Sequence, residues 1–549
     1  MEEGMRATQS AAGRWEMTRV LVASTVGTLF EWYDFFLYGS LASVISTQFF
    51  SGLTGSAQFV FALLVFGVGF AFRPLGALIF GRLGDRVGRK YTFLATLILM
   101  GGATFCVGLL PSYAKWGLAS PALLVLMRIL QGVGIGGEYG GAAVFVAEHA
   151  PTNRRGAYTS WIQTTGPLGM VVALMVVYFC RRLTGDAFES WGWRIPFLLS
   201  GVILAISLYI RMQISESPLF QKMKAEGKTS QRPIAETFGE WRNFKVVLIA
   251  LFGLVTGVTT VIYTAQVYSF FFLTHTLRVD PGPAGLYVAI ALVITTPLFW
   301  VVGSLSDRVG RKPIIMLGCL VGALTFFPIY HALTHYANPA LESAILSAPV
   351  TVEADSATCS LQFNPLGSRQ EQSDCDRVKA LLAQSGVPYR AIDESGATHV
   401  TVTIGRTRYA GAAVTAIQSG LVAAGYPVRA DPAHVNAPMI VLLVVLLGVY
   451  LAMVFAPLAA ALVEMFPGRI RYTALSFPYH LGNGLVGGFF PAIAFAIVAQ
   501  TGDIYAGLWY PVVFTLSTVV IGGVFLKEQR AQQMTELGRS ASTATERPQ

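Results

Sequence analysis

The sequence predicts an all-α membrane protein built from two six-helix halves, with a small α/β domain inserted in the second half. Three observations carry that reading. The 549 residues are 54% hydrophobic and only 13% charged, with a mean hydropathy of +0.56, whereas soluble domains carry about 25% charged residues. Apolar runs close to or above the roughly 20 residues that cross a bilayer recur along the whole chain. Finally, the charged stretch GRLGDRVGRK at 81–90 returns as GSLSDRVGRK at 303–312.

The runs are 20–49, 59–80, 91–110, 121–147, 157–180, 195–212, 246–273, 284–302, 313–333, 439–465, 472–499 and 506–526, taken as helices 1 to 12. The first is too long for a cleaved signal, carries Glu31 and Asp34, and has no small-residue cleavage site after a short apolar core. It is therefore expected to remain as helix 1. The formal charge of +9 does not point to nucleic acid, because the basic residues gather in short loops on one side of the helices. Arg82, Arg86, Arg89 and Lys90 lie between helices 2 and 3, Arg154 and Arg155 between 4 and 5, Arg308, Arg311 and Lys312 between 8 and 9, and Arg469 and Arg471 between 10 and 11. The positive-inside rule makes those loops cytoplasmic and, with twelve helices, both termini too. Arg181 and Arg182 alone fall on the other side. The expected organisation is a cytoplasmic tail (1–19), a first half (20–214), a cytoplasmic linker (215–245), helices 7–9 (246–335), an external insertion (336–437), helices 10–12 (438–527) and a second tail (528–549).

A second repeat locates the insertion. AEHAPTNRRGAYT at 147–159 resembles VEMFPGRIRYTAL at 463–475, each with a Glu at a helix end, a Pro three residues on and Arg in the turn. The charged turns are offset by 222 residues (Gly81 to Gly303), but Glu148 and Glu464 by 316, so 94 extra residues lie between helices 9 and 10. Within that stretch APVTVEAD and THVTVTIG alternate as strands do, while CDRVKALLAQSG and YAGAAVTAIQSGLVAAG have helical spacing. Cys359 and Cys375 fall there, and an oxidising compartment permits a disulfide worth roughly 3 kcal/mol. Cys106, Cys180 and Cys319 lie in membrane runs and are read as packing residues. Parallel halves of this kind place a solute cavity at their interface near mid-membrane.

The Gly, Asp and Arg/Lys spacing of GRLGDRVGRK resembles the signature loop of the major facilitator superfamily, over nearly all of the chain outside the insertion. FEWYDFFLYG (30–39), FRPLGALIFGRLGDRVGRK (72–90), RILQGVGIGGEYGGAAVFVAE (128–148) and RYTALSFPYHLGNGLVGGFFP (471–491) are similar to its metabolite:proton symporter branch. That branch includes carriers of α-ketoglutarate, citrate, shikimate, and proline or betaine. SESPLF at 215–220, with Glu216, matches the charged element after helix 6. The resemblance implies a twelve-helix major facilitator fold and proton-driven uptake without fixing the solute, and the insertion departs from the compact members of the branch.

Physical reasoning assigns roles to particular residues. Asp85 and Asp307 can accept bonds from backbone N–H groups or Arg at a neighbouring helix end, closing the cytoplasmic side in one state and parting in the other. Arg89, Glu148, Arg155, Glu216, Arg311, Glu464 and Arg471 are the remaining members expected at that end; the same charges also fix topology. An intramembrane charge costs at least roughly 2.5 to 3.5 kcal/mol and so needs a partner or a function. Glu31 and Asp34 share a face of helix 1 and repel, which makes one of them a candidate proton carrier unless a basic partner locks Glu31. Arg128, among the glycines of helix 4, needs an anion: Asp34, Glu31 or a solute carboxylate. Arg73 and Glu138 are expected to form a buried pair. His480 and Asn483 share a face of helix 11, the histidine being either a second proton carrier or a neutral hydrogen bonder. Tyr33, Arg128, Gln163, Tyr263, Gln266, Tyr268 and Asn483 are the candidate solute contacts, with packing as the competing role of the aromatic ones.

No phosphate-binding loop, zinc spacing, CxxC or nucleophile with its base is present, so neither catalysis, nor a metal, nor a cofactor is expected, and the proton gradient is the energy source. The expectation is a monomeric proton-coupled symporter of a small organic acid anion in the bacterial inner membrane. Its partners are that anion, protons and the lipid bilayer, with no nucleic acid and an open question of what the insertion binds. A proline- or betaine-like zwitterion is the alternative solute. A membrane sensor with an external ligand-binding domain is the alternative of another class.

Overall fold

A computed structural model describes residues 21–528 apart from 23, 53–60, 63, 64, 66, 214, 215, 356–358, 360–372, 398 and 412. Most of the two expected tails lies outside that range. Ten helices among the described residues are long and apolar enough to cross a membrane. They are helix 3 (Arg89–Leu109), 4 (Ala119–His149), 5 (Thr152–Phe188), 6 (Arg194–Met212), 7 (Trp241–Thr276), 8 (Pro281–Val309), 9 (Arg311–Ala337), 10 (Ala437–Met465), 11 (Arg471–Thr501) and 12 (Ala506–Phe525). The first two runs are also helical, over 24–40 and Ala42–Phe49 for helix 1, and over 67–71 and Arg73–Arg86 for helix 2. Most of the large apolar side chains that remain exposed, such as Leu183, Tyr209, Leu324 and Val524, lie on these helices, as a lipid-facing belt requires.

Both charged turns have the same backbone. Gly88 and Gly310 stand at φ 141° and 111°, a conformation that L-residues with a Cβ rarely adopt, and each directly precedes the Arg that opens the next helix. The repeated Gly is thus required by the turn itself. Helices 2 and 4 cross with their backbones in contact: a Cβ on Gly136 would sit 2.2 Å from the carbonyl oxygen of Arg73, and one on Gly132 2.2 Å from that of Gly69. This contact fixes Arg73 against helix 4.

Helices 7 and 11 are not regular. Helix 7 contains π-helical segments at Leu251–Val255, Thr264–Tyr268 and Phe272–Thr276, and helix 11 one at Gly482–Gly487. Such widened turns are frequent at functional sites, and these hold Gln266, Tyr268 and Asn483.

The insertion is a four-stranded sheet in the order β2-β1-β3-β4, with β1 Val350–Ala354, β2 Tyr389–Asp393, β3 Thr401–Ile404 and β4 Thr407–Ala410. The helix Asp374–Gln384 connects the parallel pair β1 and β2, while β3 and β4 form an antiparallel hairpin. The alternation read in APVTVEAD and THVTVTIG is that of β1 and β3, whose residues are alternately buried. The stretch at 409–425, expected to be helical throughout, begins instead in β4, and its helix spans Val414–Ala423. Strand β2 escaped the sequence because four of its five residues are exposed, which leaves no alternation to read.

The domain stands on the helix ends opposite the charged turns. Tyr389 donates its N–H to the carbonyl of Gly502 (2.9 Å) and its hydroxyl to that of Ala499, at the end of helix 11. Arg278, just past helix 7, donates from Nε to the carbonyl of Ser385 (3.3 Å). At its base, Asn436 N–H donates to the carbonyl of Tyr336 (2.9 Å), joining the outgoing and returning chain. Cys359 and Cys375 are joined in a disulfide with Cα atoms 5.4 Å apart across a separation of 16 residues. A loop of that size stabilises by about 3 kcal/mol. Replacing both cysteines by Ser should therefore speed hydrogen exchange in 374–423 by on the order of 100-fold, with the transmembrane helices unchanged.

Candidate functional site

At the charged-turn end the two halves are clasped twice, each time by a carboxylate of one half capping a helix of the other. Asp85 accepts from the N–H groups of Tyr472 (3.2 Å) and Thr473 (2.9 Å) and from the Thr473 hydroxyl (2.8 Å), at the start of helix 11. Asp307 accepts from the N–H groups of Gly156 (2.8 Å) and Ala157 (2.9 Å) in helix 5. Side-chain oxygens on otherwise unbonded N–H groups at a positive helix end suit one another. Arg89 pairs with Asp85 (3.0 Å) and Arg311 with Asp307 (2.8 Å) and Glu464 (3.1 Å). Glu148 bonds Arg471 across the halves at 3.1 Å and approaches Arg89 at 3.8 Å. Arg155 donates to the carbonyl of Ala147 and lies within electrostatic reach of Glu464 and Glu148. Glu216 accepts from the N–H groups of Arg89 and Lys90 at the start of helix 3. Glu528, which the sequence did not single out, does the same for Arg311 (2.7 Å) and Lys312 (2.9 Å) at the start of helix 9.

An Asp85→Asn change keeps one acceptor but turns an amide N–H₂ toward backbone donors. It should cost about 2 kcal/mol and speed amide exchange at 471–475 by roughly 30-fold.

Further from the turns, between the halves, buried polar groups face each other without protein partners. Arg73 is 3% exposed and makes no hydrogen bond or ion pair among the described residues. Its guanidinium lies over the rings of Phe70 (4.4 Å) and Phe35 (4.9 Å), and its charge reaches Glu31, Tyr263, Tyr479 and His480. Unpartnered buried atoms here are Glu31 Oε2, Tyr263 Oη, Gln266 Nε2, Tyr479 Oη, both ring nitrogens of His480 and Asn483 Oδ1. Each buried bond left unmade costs roughly 1–3 kcal/mol, so such a concentration is the signature of a polar ligand site. A small cleft lined by Trp32, Phe35, Phe36, Tyr263 and Gln266 adjoins it.

The sequence expectations are corrected at several positions. Glu138 pairs with Arg211, not with Arg73, at 2.8 Å; Arg211 also lies against Gly27 of helix 1, where no side chain stands in its way. Glu31 and Asp34 do not act chiefly on one another: the charged neighbours of Glu31 are, strongest first, Glu138, Arg73, Arg211 and Asp34, while Asp34 accepts from the Ser200 hydroxyl at 2.7 Å. Arg128 donates to Gln131 Oε1 (2.6 Å) and lies over the Tyr38 ring, with Asp34 in electrostatic reach. Tyr33 points into the first half, donating to the carbonyl of Pro196 (2.8 Å), and so is not among the unpartnered groups near Arg73. Gln163 uses its amide on the Tyr139 hydroxyl (2.8 Å) and the carbonyl of Phe455 (3.1 Å), bracing one half on the other. Tyr268 packs inside the second half against Tyr330 and Phe490, away from the cleft. Of the expected solute contacts, Tyr263 lies within reach of Arg73 together with His480, Gln266 lines the cleft beside Tyr263, and Asn483 is unpartnered three residues past His480 on helix 11.

Arg73 was legible as a buried charge but was given the wrong partner, because residue count alone cannot tell which face of helix 2 it occupies. Arg211 and Tyr479 were missed altogether: the first resembles an interfacial Arg near a helix end, the second an ordinary membrane aromatic.

Comparison with known proteins agrees with this architecture. The chain is 35% identical over 329 residues to the proline/betaine transporter of Escherichia coli (strain K12), covering 57% of this chain and 64% of that protein, just under two thirds of its length. It is 36% identical over 326 residues to the shikimate transporter of the same strain, covering 57% and 72%. To the inner membrane metabolite transport protein YhjE, also of that strain, it is 35% identical over 357 residues, covering 64% and 79%. The structure of the major facilitator superfamily proton:xylose symporter XylE bound to 6-bromo-6-deoxy-D-glucose superposes with a TM-score of 0.63 at 17% identity, over 96% of this chain and 99% of that one, a likeness of fold. A family model described as "Sugar (and other) transporter" matches residues 20–240 and 221–346. With its two clasped six-helix halves, its repeated charged turns and these matches, the chain belongs to the sugar (and other) transporter family of the major facilitator superfamily.

Proposed function

We propose that the protein is a proton-coupled symporter that imports a small carboxylate-bearing solute by alternating access. The reading places it in a bacterial inner membrane, with the charged turns in the cytoplasm and the inserted domain on the periplasmic side. The observation that carries it is Arg73: a buried guanidinium between the halves, with no acidic partner among the described residues and with Glu31 in electrostatic reach. Buried acids and bases of the first half otherwise balance, Asp34 with Arg128 and Glu138 with Arg211. Without solute, ionised Glu31 offsets Arg73. A solute carboxylate on Arg73 keeps the buried charge unchanged only when Glu31 takes up a proton, and that constraint is coupling. The carboxylate and the polar atoms of Gln266, Asn483 and Tyr263 would then bridge the two halves.

An organic acid anion is the first reading of the solute. The aromatic wall of the cleft, formed by Trp32, Phe35 and Phe36, favours a second, in which the solute is a zwitterion whose ammonium lies against those rings. The names of relatives, proline/betaine and shikimate transporters, are consistent with either.

The test is uptake into proteoliposomes of labelled α-ketoglutarate, citrate, shikimate, proline and glycine betaine, with and without an inward proton gradient. Accumulation of an acid or a zwitterion only with the gradient supports the reading and selects the solute class. Equal slow equilibration makes the protein a facilitator, and no uptake of any of the five overturns the proposal.

A further inference from the structure

Between the central site and the clasp, helices 4 and 11 meet ring on ring. Tyr139 and Tyr479 stack with centroids 3.6 Å apart and planes 10° from parallel, each 2% exposed. On the clasp side the Tyr472 hydroxyl donates to the carbonyl of Gly137, and Ser476 lies directly against Gly140. On the site side the His480 ring stands edge-on to Tyr479 at 5.0 Å, and the charges of Glu31 and Arg73 reach it. From the pocket toward the charged turns, the stack is thus the first contact across the halves on these two helices.

The two tyrosines are held differently. Tyr139 is fixed, its hydroxyl accepting from Gln163, whose amide also reaches the carbonyl of Phe455 in the second half. The Tyr479 hydroxyl is buried with no hydrogen-bond partner among the described residues. Glu31, whose Oε2 is likewise unpartnered, has both rings within reach of its charge. We propose that the Tyr139–Tyr479 stack is the inner gate of the transport pathway, and that the Tyr479 hydroxyl is where the charge of Glu31 acts on it.

An ionised Glu31 attracts the phenolic proton and holds the Tyr479 ring in the stack. A protonated Glu31 loses that attraction, and the ring can turn aside as the halves part. The other charged groups around Glu31 are Asp34 on its own helix, Arg73 on helix 2, Glu138 on helix 4 and Arg211 on helix 6; around the Tyr479 ring stand Tyr139, Arg73, Tyr263 and His480. Arg211 and Glu138 are tied to each other and Asp34 is bonded to Ser200, so Glu31 and His480 are the groups through which pH reaches the gate, and the Glu31→Gln background tells them apart. The proposal rests on alternating access as read above, but its test needs neither solute nor gradient.

The reporter is Gly166→Cys in a full-length protein carrying Cys106→Ser, Cys180→Ala and Cys319→Ala, with the disulfide intact. A Cβ at Gly166 meets Trp32 at 3.6 Å and Phe455 at 3.8 Å, ordinary contacts, one turn beyond Gln163 on the pocket side. A membrane-impermeant maleimide is applied to the charged-turn face in inside-out vesicles, and labelling is normalised to denatured protein at each pH. The expected results are slow labelling that rises several-fold from pH 8 to 5.5 in the parent, and labelling at least 10-fold faster at every pH with Tyr479→Ala. Tyr479→Phe keeps the stack but loses the pH response, as does Glu31→Gln. Tyr479→Leu, which removes the ring with less change in volume, replaces the alanine variant if that does not fold. Parental labelling in the ringless variant overturns the gate, and a retained pH response in Tyr479→Phe overturns its link to Glu31. If uptake fails while these results hold, the solute reading falls and the gate stands.

Discussion

Replacing Arg73 with Gln is expected to reduce uptake by on the order of 100-fold while leaving the protein folded. A guanidinium that bonds a solute carboxylate twice supplies about 3 kcal/mol that a neutral amide cannot. The change breaks no hydrogen bond or ion pair among the described residues; Glu31, no longer offset by the guanidinium, can take up a proton, and what goes is the contact with Phe35 and Phe70. Arg73→Lys discriminates further: it keeps the charge but not the planar fork, and should recover only part of the uptake. The measurement is initial uptake rate in proteoliposomes, with thermal stability of each variant in detergent as the control. Full uptake by Arg73→Gln would remove the guanidinium from the solute site.

The second large effect is expected at Glu31. Glu31→Gln mimics the protonated carboxyl, so the solute site remains competent for exchange but no longer requires a proton. Counterflow of internal for external solute should persist within a few-fold of the parent, while gradient-driven accumulation falls to equilibration. Loss of both in a folded protein would make Glu31 a structural group. Asp34→Asn is the contrasting variant: Asp34 accepts from the Ser200 hydroxyl inside the first half, an Asn oxygen can accept the same bond, and gradient-driven accumulation should persist.

Much of the architecture was legible because it is repeated. The two charged turns and the two Glu-Pro-Arg segments fixed the number of helices per half and the place of the insertion, since a repeat offset measures surplus residues directly. The clasp was legible for the same reason: Asp85 and Asp307 occupy equivalent positions, and short anionic side chains at helix junctions have few roles open to them. The central site was harder. Membrane helices are apolar all round, so hydropathy gives no face, and Tyr33, Gln163 and Tyr268 look as available as Tyr263 and Gln266. On helix 7 the separation of Tyr268 from Tyr263 and Gln266 depends on the π-helical turn, which shifts side chains around the axis by an amount that a regular period cannot anticipate. Arg73 and Glu138 looked like partners by depth, yet Arg211 reaches Glu138 across the glycine at position 27, a contact visible only in three dimensions.

The bond between Asn436 N–H and the Tyr336 carbonyl gives the inserted domain a narrow neck. The chain leaves helix 9 and re-enters helix 10 at points as close as those of a tight hairpin, so the neck leaves the spacing of those helices unaltered. The roughly hundred residues between them therefore add only a slowly growing closure cost to a connection that a few residues could make. The helical part is in this sense a host and the inserted domain a guest seated on a single neck. Changes in the guest can alter what that end of the molecule presents while the two halves keep the same turns.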